Sequence, residues 1–220
     1  MRIVSIQRGM PREVVWHGRP VTTSIYKEPV EGSVALRTLN LDGDRQSDLT
    51  VHGGKDKAVY CYPLEHYTYW KSELPDRELS PGAFGENFTT EGLASEDAVF
   101  IGDRFAVGSA EVVVTQPRLP CFKLGIRFED DGMVKRFLEA GRSGFYIAVA
   151  REGEVGAGDE IALLSREPEP VPVAAISRLY LAKRFTSADV RQARRAIELD
   201  ALPESWREYF QEKLERQTRA

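Results

Sequence analysis

Cysteine is scarce. The 220 residues hold two, Cys61 and Cys121. That excludes a disulfide framework, a four-cysteine zinc site and an iron–sulfur cysteine set. No stretch reaches the roughly 18 apolar residues of a membrane helix. The opening Arg2-Ile3-Val4-Ser5-Ile6 alternates with period two, as a strand does and a signal sequence does not. No Walker A or GxGxxG spacing occurs, so no nucleotide or flavin fingerprint is present. Positive charge is not in excess either. The formal net charge is −4, which does not describe a general nucleic-acid-binding surface, although a whole-chain sum leaves room for a local basic pocket. The expectation is a protein of the reducing cytoplasm, without nucleic acid or membrane as partner. Its length suits one large domain, or a main domain with a small appendage.

The N-terminal 40 residues read as short strands and turns. Val21–Tyr26 and Gly32–Arg37 each follow a turn, and short strands at this spacing suggest a barrel or sandwich. His17, beside Trp16 in a predicted hairpin, reads as a surface or packing residue. Ala58–Tyr62 reads as a strand with Cys61 in the core. Pro63 is expected to open a helix with Tyr67, Trp70 and Leu74 on its apolar face, His66 packing beside them. Val99–Gly108 reads as strand, turn, strand. Phe122–Phe128 and Gly132–Gly141 read as helices, Ser143–Val155 as a strand and hairpin, and Gly156–Leu164 as a closing strand.

The chemistry centres on Gln116-Pro117-Arg118-Leu119-Pro120-Cys121-Phe122-Lys123-Leu124, which follows the strand Glu111–Thr115. The two prolines fix their own φ and push the preceding residues toward extended backbone. The thiol lies between Arg118 and Lys123, and cations beside a thiol favour the thiolate, the form that attacks or binds metal. A lone cysteine is commonly just a small buried apolar residue. The rigid turn and its cations set Cys121 apart as a candidate active-site centre.

Two glycine-rich polar stretches surround it in sequence. Residues 39–57 carry Gly43, Asp44, His52, Gly53, Gly54, Lys55 and Lys57. Glycines permit close backbone approach to a ligand, and successive N–H groups in such turns form anion nests. Pro81–Leu93 carries Gly85, Glu86 and Asn87. Glu86 is an acid, base or orienting group if buried, and Asn87 both donates and accepts. A solvated loop with a glycine hairpin accounts for the first stretch equally well, and a plain loop followed by a strand for the second.

Arg166–Pro172 holds Pro168, Pro170 and Pro172, a semi-rigid extended spacer. It divides a β-rich domain, 1–165, from a helical one, 173–220, with 166–172 as linker. Ala175–Ala182, a helix opened by the capping box Thr186–Asp189 and a third opened by Pro203 make three short helices. They cannot bury much surface alone, so packing on the barrel or in a homodimer is expected.

These motifs together resemble a MOSC domain of the YiiM-like subfamily. The carrying residues are Gly43-Asp44, His52-Gly53-Gly54 with Lys57–Tyr60, Phe84–Asn87, Ile101–Asp103 and Gln116–Leu124, with the three C-terminal helices. The resemblance implies a mainly β fold with α: a barrel-like domain that binds a molybdopterin-type molybdenum cofactor, plus a small three-helix domain. It implies Cys121 as the ligand to molybdenum and reduction of small N-hydroxylated compounds, such as hydroxylaminopurines and amidoximes, with electrons from a separate donor protein. Gly53, Gly54, Lys57, Asn87, Arg118 and Lys123 are the cofactor-binding candidates. Cys121, His52 and Asp44 are the catalytic ones, the last two relaying a proton to the departing oxygen. Two rivals stay open: sulfur transfer through a Cys121 persulfide, and a non-catalytic carrier of the cofactor.

Overall fold

The computed structural model describes residues 1–47, 53–93 and 95–218. Its strands are β1 (Arg2–Arg8), β2 (Arg12–Trp16), β3 (Arg19–Thr23), β4 (Glu28–Pro29), β5 (Ser33–Leu36), β6 (Val59–Pro63), β7 (Phe88–Glu91), β8 (Arg104–Val107), β9 (Ala110–Pro117), β10 (Phe145–Arg151), β11 (Gly153–Gly156) and β12 (Ile161–Ser165). Its helices are α1 (Glu65–Glu73), α2 (Phe122–Phe128), α3 (Met133–Ala140), α4 (Val173–Leu181), α5 (Ser187–Ile197) and α6 (Glu204–Thr218).

The main sheet has the order β12-β8-β9-β10-β6-β7-β1-β4. All of its pairs are antiparallel except β6–β7. The sheet curls until its ends meet. Ile3 N–H donates to the Asp159 carbonyl (2.9 Å), Gly158 N–H to that of Ile3 (2.8 Å) and Ile161 N–H to that of Met1 (2.9 Å). Closure satisfies edges that would otherwise be open to other chains. Inside, Ile3, Ile6, Val59, Val114 and Ile101 are fully buried.

The three C-terminal helices pack on this barrel. Val173, Ile176, Leu179, Ala193 and Phe210 belong to the same apolar cluster as the barrel interior. Trp206 Nε1 donates to Gln116 Oε1 of β9 at 2.7 Å. The connecting segment is held by a fork: Arg166 donates to both Asp103 carboxylate oxygens at 2.7 and 2.8 Å. Helix α5 begins with the predicted box, Thr186 capping Asp189 N–H and the Asp189 carboxylate accepting from Thr186 N–H.

Several elements differ from the sequence reading. Pro63 closes β6, paired with Thr90, and α1 starts at Glu65. Strand β3 ends at Thr23, short of Tyr26. Val99–Ile101 is not a strand: Phe100 makes an isolated bridge to Pro172 and opens a turn to Asp103, whose carboxylate takes the Phe100 N–H at 3.0 Å. Pro117 is the last residue of β9, paired with Phe145. Strands β10 and β11 do not make a hairpin. Only Glu152 separates them, too few residues for a hairpin turn. Its carboxylate accepts from Thr38 N–H and Oγ1 at 2.8 and 2.7 Å, and β11 pairs with β5.

Because barrel and helices share a core, Phe210→Ala is expected to destabilise the whole chain by about 3–5 kcal/mol. A lowered urea midpoint at unchanged slope is the readout.

Candidate functional site

The Cys121 loop leaves β9 under tight control. Arg118 N–H donates to the Gly144 carbonyl at 3.3 Å. Cys121 then sits in extended backbone, φ −119° and ψ 174°, as the residue before α2. Its thiol is free and half-buried. It opens into a cavity of about 650 Å³, mouth included. Among the described residues, Lys27, Lys57, Arg118 and Lys123 line that cavity, with Asp44 as the one carboxylate.

Each cation is placed by a neighbour or by burial. Lys27 pairs with Asp44, and both side chains are almost fully buried. Asp44 also accepts the Gly9 N–H at 2.7 Å. Burial holds the Lys27 ammonium below its ordinary pKa although Asp44 pulls it up. Burial also lowers Lys57, against Asp56. Lys123 donates to Ser47 Oγ at 2.8 Å. Arg118 is 6% exposed, its guanidinium 5.0 Å from the rings of both Tyr60 and Phe137. Burial works against its charge, but the phenols of Tyr60 and Tyr146 and the Cys121 side chain favour it, and its pKa ends higher. Its Nη1 is buried without a hydrogen-bond partner among the described residues. Burial pushes the Tyr146 phenol up against the pull of Arg118, so it stays a protonated donor beside Cys121.

The two motif turns next to the cavity are held from within. The Glu86 carboxylate accepts from Gly82 N–H (2.8 Å), Phe84 N–H (3.1 Å), Thr89 Oγ1 (2.9 Å) and the Tyr67 hydroxyl. It is therefore an organiser of its own turn. Gly85, φ +82°, runs so close to Ile25 that a Cβ would lie 2.9 Å from Ile25 Cγ1. Asn87 accepts the Tyr60 N–H and donates to the Gln7 carbonyl, both at 3.2 Å, tying β6 to β1.

Behind the loop lies a buried relay. His66 Nε2 faces both Glu96 oxygens at 2.9 and 3.1 Å. Its Nδ1 faces Arg142 Nη1 at 3.4 Å. Glu96 and Arg142 thus hold the ring from its two nitrogens. Glu96 also accepts the Gly144 N–H at 2.6 Å, and Gly144 in turn holds Arg118. A side chain at residue 144 would sit 2.5 Å from the Cys61 carbonyl, so only glycine fits this turn.

The structure thus gathers Cys121, Asp44, Lys57, Asn87, Arg118 and Lys123 at one cavity. Gly53 and Gly54 start the 3-10 turn Lys55–Lys57 that presents Lys57, outside the cavity lining. His52 lies outside the described residues. Lys27, Tyr146 and Glu96 escaped the sequence reading. Tyr146 had a signal, since alternation along β10 sets it on the face opposite Phe145 and Ile147. Cys61 is buried, and burial pushes its thiol pKa up. Among the described residues no three His, Cys, Asp or Glu side chains converge on a metal position, which leaves Cys121 as the available soft ligand in the cavity.

The MOSC domain family model matches residues 48–162, and the model of the YiiM-like, 3-alpha helix domain matches 171–217. Uncharacterized protein YflK of Bacillus subtilis (strain 168) is 41% identical over 216 residues, 97% of this chain and 95% of its own. A protein named reductase from Gibberella moniliformis is 34% identical over 172 residues, 77% of this chain and 30% of its own length. The crystal structure of YiiM from Geobacillus stearothermophilus superposes with a TM-score of 0.79 at 35% identity, covering 97% of this chain and 98% of that one.

Two outcomes are expected from this geometry. Glu96→Ala leaves His66 Nε2–H and Gly144 N–H buried and unpaired, at about 1–3 kcal/mol for each group, read by chemical denaturation. An anion in the cavity raises the lowered pKa values of Lys27 and Lys57 back toward 10.5. Phosphate binding should therefore take up protons, and its affinity should fall as pH rises from 8 to 10, read by calorimetry in buffers of different ionisation enthalpy.

Proposed function

Because the chain belongs to the MOSC domain family, in the form that carries the YiiM-like three-helix domain, we propose that it is a molybdenum-cofactor-dependent reductase of N-hydroxylated compounds, with Cys121 as the protein's ligand to the metal. The observation that carries this reading is that the described residues lining one cavity hold one thiol, four cations and one carboxylate. That carboxylate is already paired with Lys27.

The residues fit the group. A molybdopterin carries a phosphate, and Arg118, which lines the cavity, has a buried guanidinium nitrogen without a hydrogen-bond partner among the described residues. Lys57 and Lys123 add charge to the same cavity. Guanidinium–phosphate hydrogen bonds are among the stronger ones in proteins. When bound, the cofactor supplies a metal centre that passes two electrons to the substrate.

The chain's own groups deal with protons and position. Reduction of an N-hydroxy compound takes two electrons and two protons, breaks the N–O bond and releases water. Tyr146, held protonated beside Cys121, and the Lys27–Asp44 pair are candidate proton donors in the cavity lining. His52, from the same polar stretch as Asp44, remains a proposed member of that relay on sequence grounds. Electrons come from a separate donor protein.

The test is chain expressed in a host that makes the cofactor, with Cys121→Ser beside it. Near-stoichiometric molybdenum and turnover of an amidoxime with a viologen reductant, both lost in the variant by at least a hundredfold in rate, are expected. An active Cys121→Ser protein sinks the ligand assignment. Cyanide-labile sulfur on Cys121 without molybdenum would instead assign sulfur transfer.

A further inference from the structure

A second cavity lies between α3, α4 and the segment that leads to Cys121. It has about 1110 Å³ of open space, mouth included. Its walls are largely carbon, from Pro120, Phe137, Leu138, Ala174, Leu181 and Ala182. Cys121 does not line it, and it shares only Arg118 and Leu119 with the cysteine cavity. It is a separate chamber. Leu181, the last residue of α4, is 50% exposed, so part of this apolar surface lies open to water. Among the described residues no carboxylate lines the chamber, but two cations do. Arg178 is met by Gln192 and Asp189. Arg118 is almost fully buried, and what favours its charge is phenols and a thiol, not a carboxylate. Its Nη1 is buried without a hydrogen-bond partner among the described residues, and so is Ser177 Oγ of α4.

An apolar chamber with a few polar groups is the usual form of a small-molecule site. Buried polar atoms without partners are costly unless a ligand or water completes them. One uncompensated positive charge among carbon walls calls for one negative charge. A dianion would bring a second charge out of water with nothing to meet it. A guanidinium and a hydroxyl both donate, and a carboxylate has two oxygens to accept. The body that suits these walls is aliphatic. Phe137 is the one aromatic residue in the lining, and its ring already packs against Trp70 and the Arg118 guanidinium. We propose that this chamber is a binding site for a medium-chain aliphatic carboxylate, its charged end on Arg118 and Ser177 and its chain against Leu138, Ala174 and Leu181. A guanidinium has several N–H donors, so a carboxylate here leaves others for an anion in the cysteine cavity. The occupant touches α4 on one side and the cysteine loop on the other, and so ties the three-helix segment to that loop. Nothing in this inference requires the occupant to reach Cys121 or depends on the reductase reading.

The test is calorimetry on the purified full chain with octanoate as probe. Acetate has the charge without the body, and octanol has the body without the charge. One octanoate per chain is expected, with acetate and octanol each weaker by about tenfold or more. Two variants locate the site. Ala174→Phe fills the chamber, and Ser177→Asp puts a like charge beside the ligand. Each should weaken octanoate by about tenfold or more, with near-ultraviolet circular dichroism and a urea midpoint like those of wild type to show that it folds. If either fails to fold, Ser177→Ala, which only removes the hydroxyl, decides through a severalfold loss. Octanoate should also raise the Tm of wild type and leave that of the variants unchanged. No saturable octanoate binding by wild type overturns the proposal. So does octanol that binds as tightly as octanoate, which would leave an apolar cleft without a role for Arg118. A folded variant that binds octanoate as wild type does overturns it as well. Acetate that matches octanoate would assign the anion to the cysteine cavity and overturn it too.

Discussion

A guanidinium taken out of water is the constraint around which this site is built. Arg118 has little contact with solvent, and a lone buried charge is costly. Two aromatic faces, Tyr60 and Phe137, lie close enough to offset part of that cost. Both rings are fixed in turn. Tyr60 donates its hydroxyl to the Ser143 carbonyl at 2.8 Å, and Phe137 stacks on Trp70, rings 5.8 Å apart and nearly parallel. Trp70 donates to the Tyr62 hydroxyl. The aromatic cluster under the cavity thus holds a positive charge in place, and the backbone of that same arginine leads the chain into the cysteine.

Backbone and side chain of Arg118 are positioned by different parts of the molecule. The side chain rests on the aromatic cluster. The main chain rests on Gly144, which is held by Glu96, which is held by His66 on α1. The imidazole lies between the Glu96 carboxylate and Arg142. The thiol therefore inherits its position from residues far from it in sequence, and a small shift in that relay moves the metal-ligand candidate with it.

Much of this was legible before any coordinates. The cysteine loop was marked by its prolines and flanking cations. The short helix Phe122–Phe128 and the capping box at Thr186 were placed to the residue, because both rest on local patterns. The β-rich body was readable from alternation. What stayed hidden depends on contacts between distant segments. Lys27 looks like any surface lysine until the fold brings Asp44 to it. Glu96 gains meaning only from His66 and Gly144. The supposed hairpin after Tyr146 failed because a side-chain contact, Glu152 to Thr38, sends the chain to another sheet. Glu86 read as a chemical group and turned out to organise its own loop, since the backbone donors that satisfy it are visible only in three dimensions.

The ring closure of the barrel has a consequence for biosynthesis. Strand β1 is made before residues 158–161, yet its hydrogen bonds to them complete the ring. While the segments between are still being synthesised, β1 has an unpaired edge, the kind of surface that invites aggregation. Pairing over so long a stretch of chain is intrinsically slow. Synthesis rate and temperature will therefore bear on the yield of native protein more than on the stability of the barrel once closed. The thiol loop is translated inside that same window, so the cavity around Cys121 takes its final form only once the ring has closed.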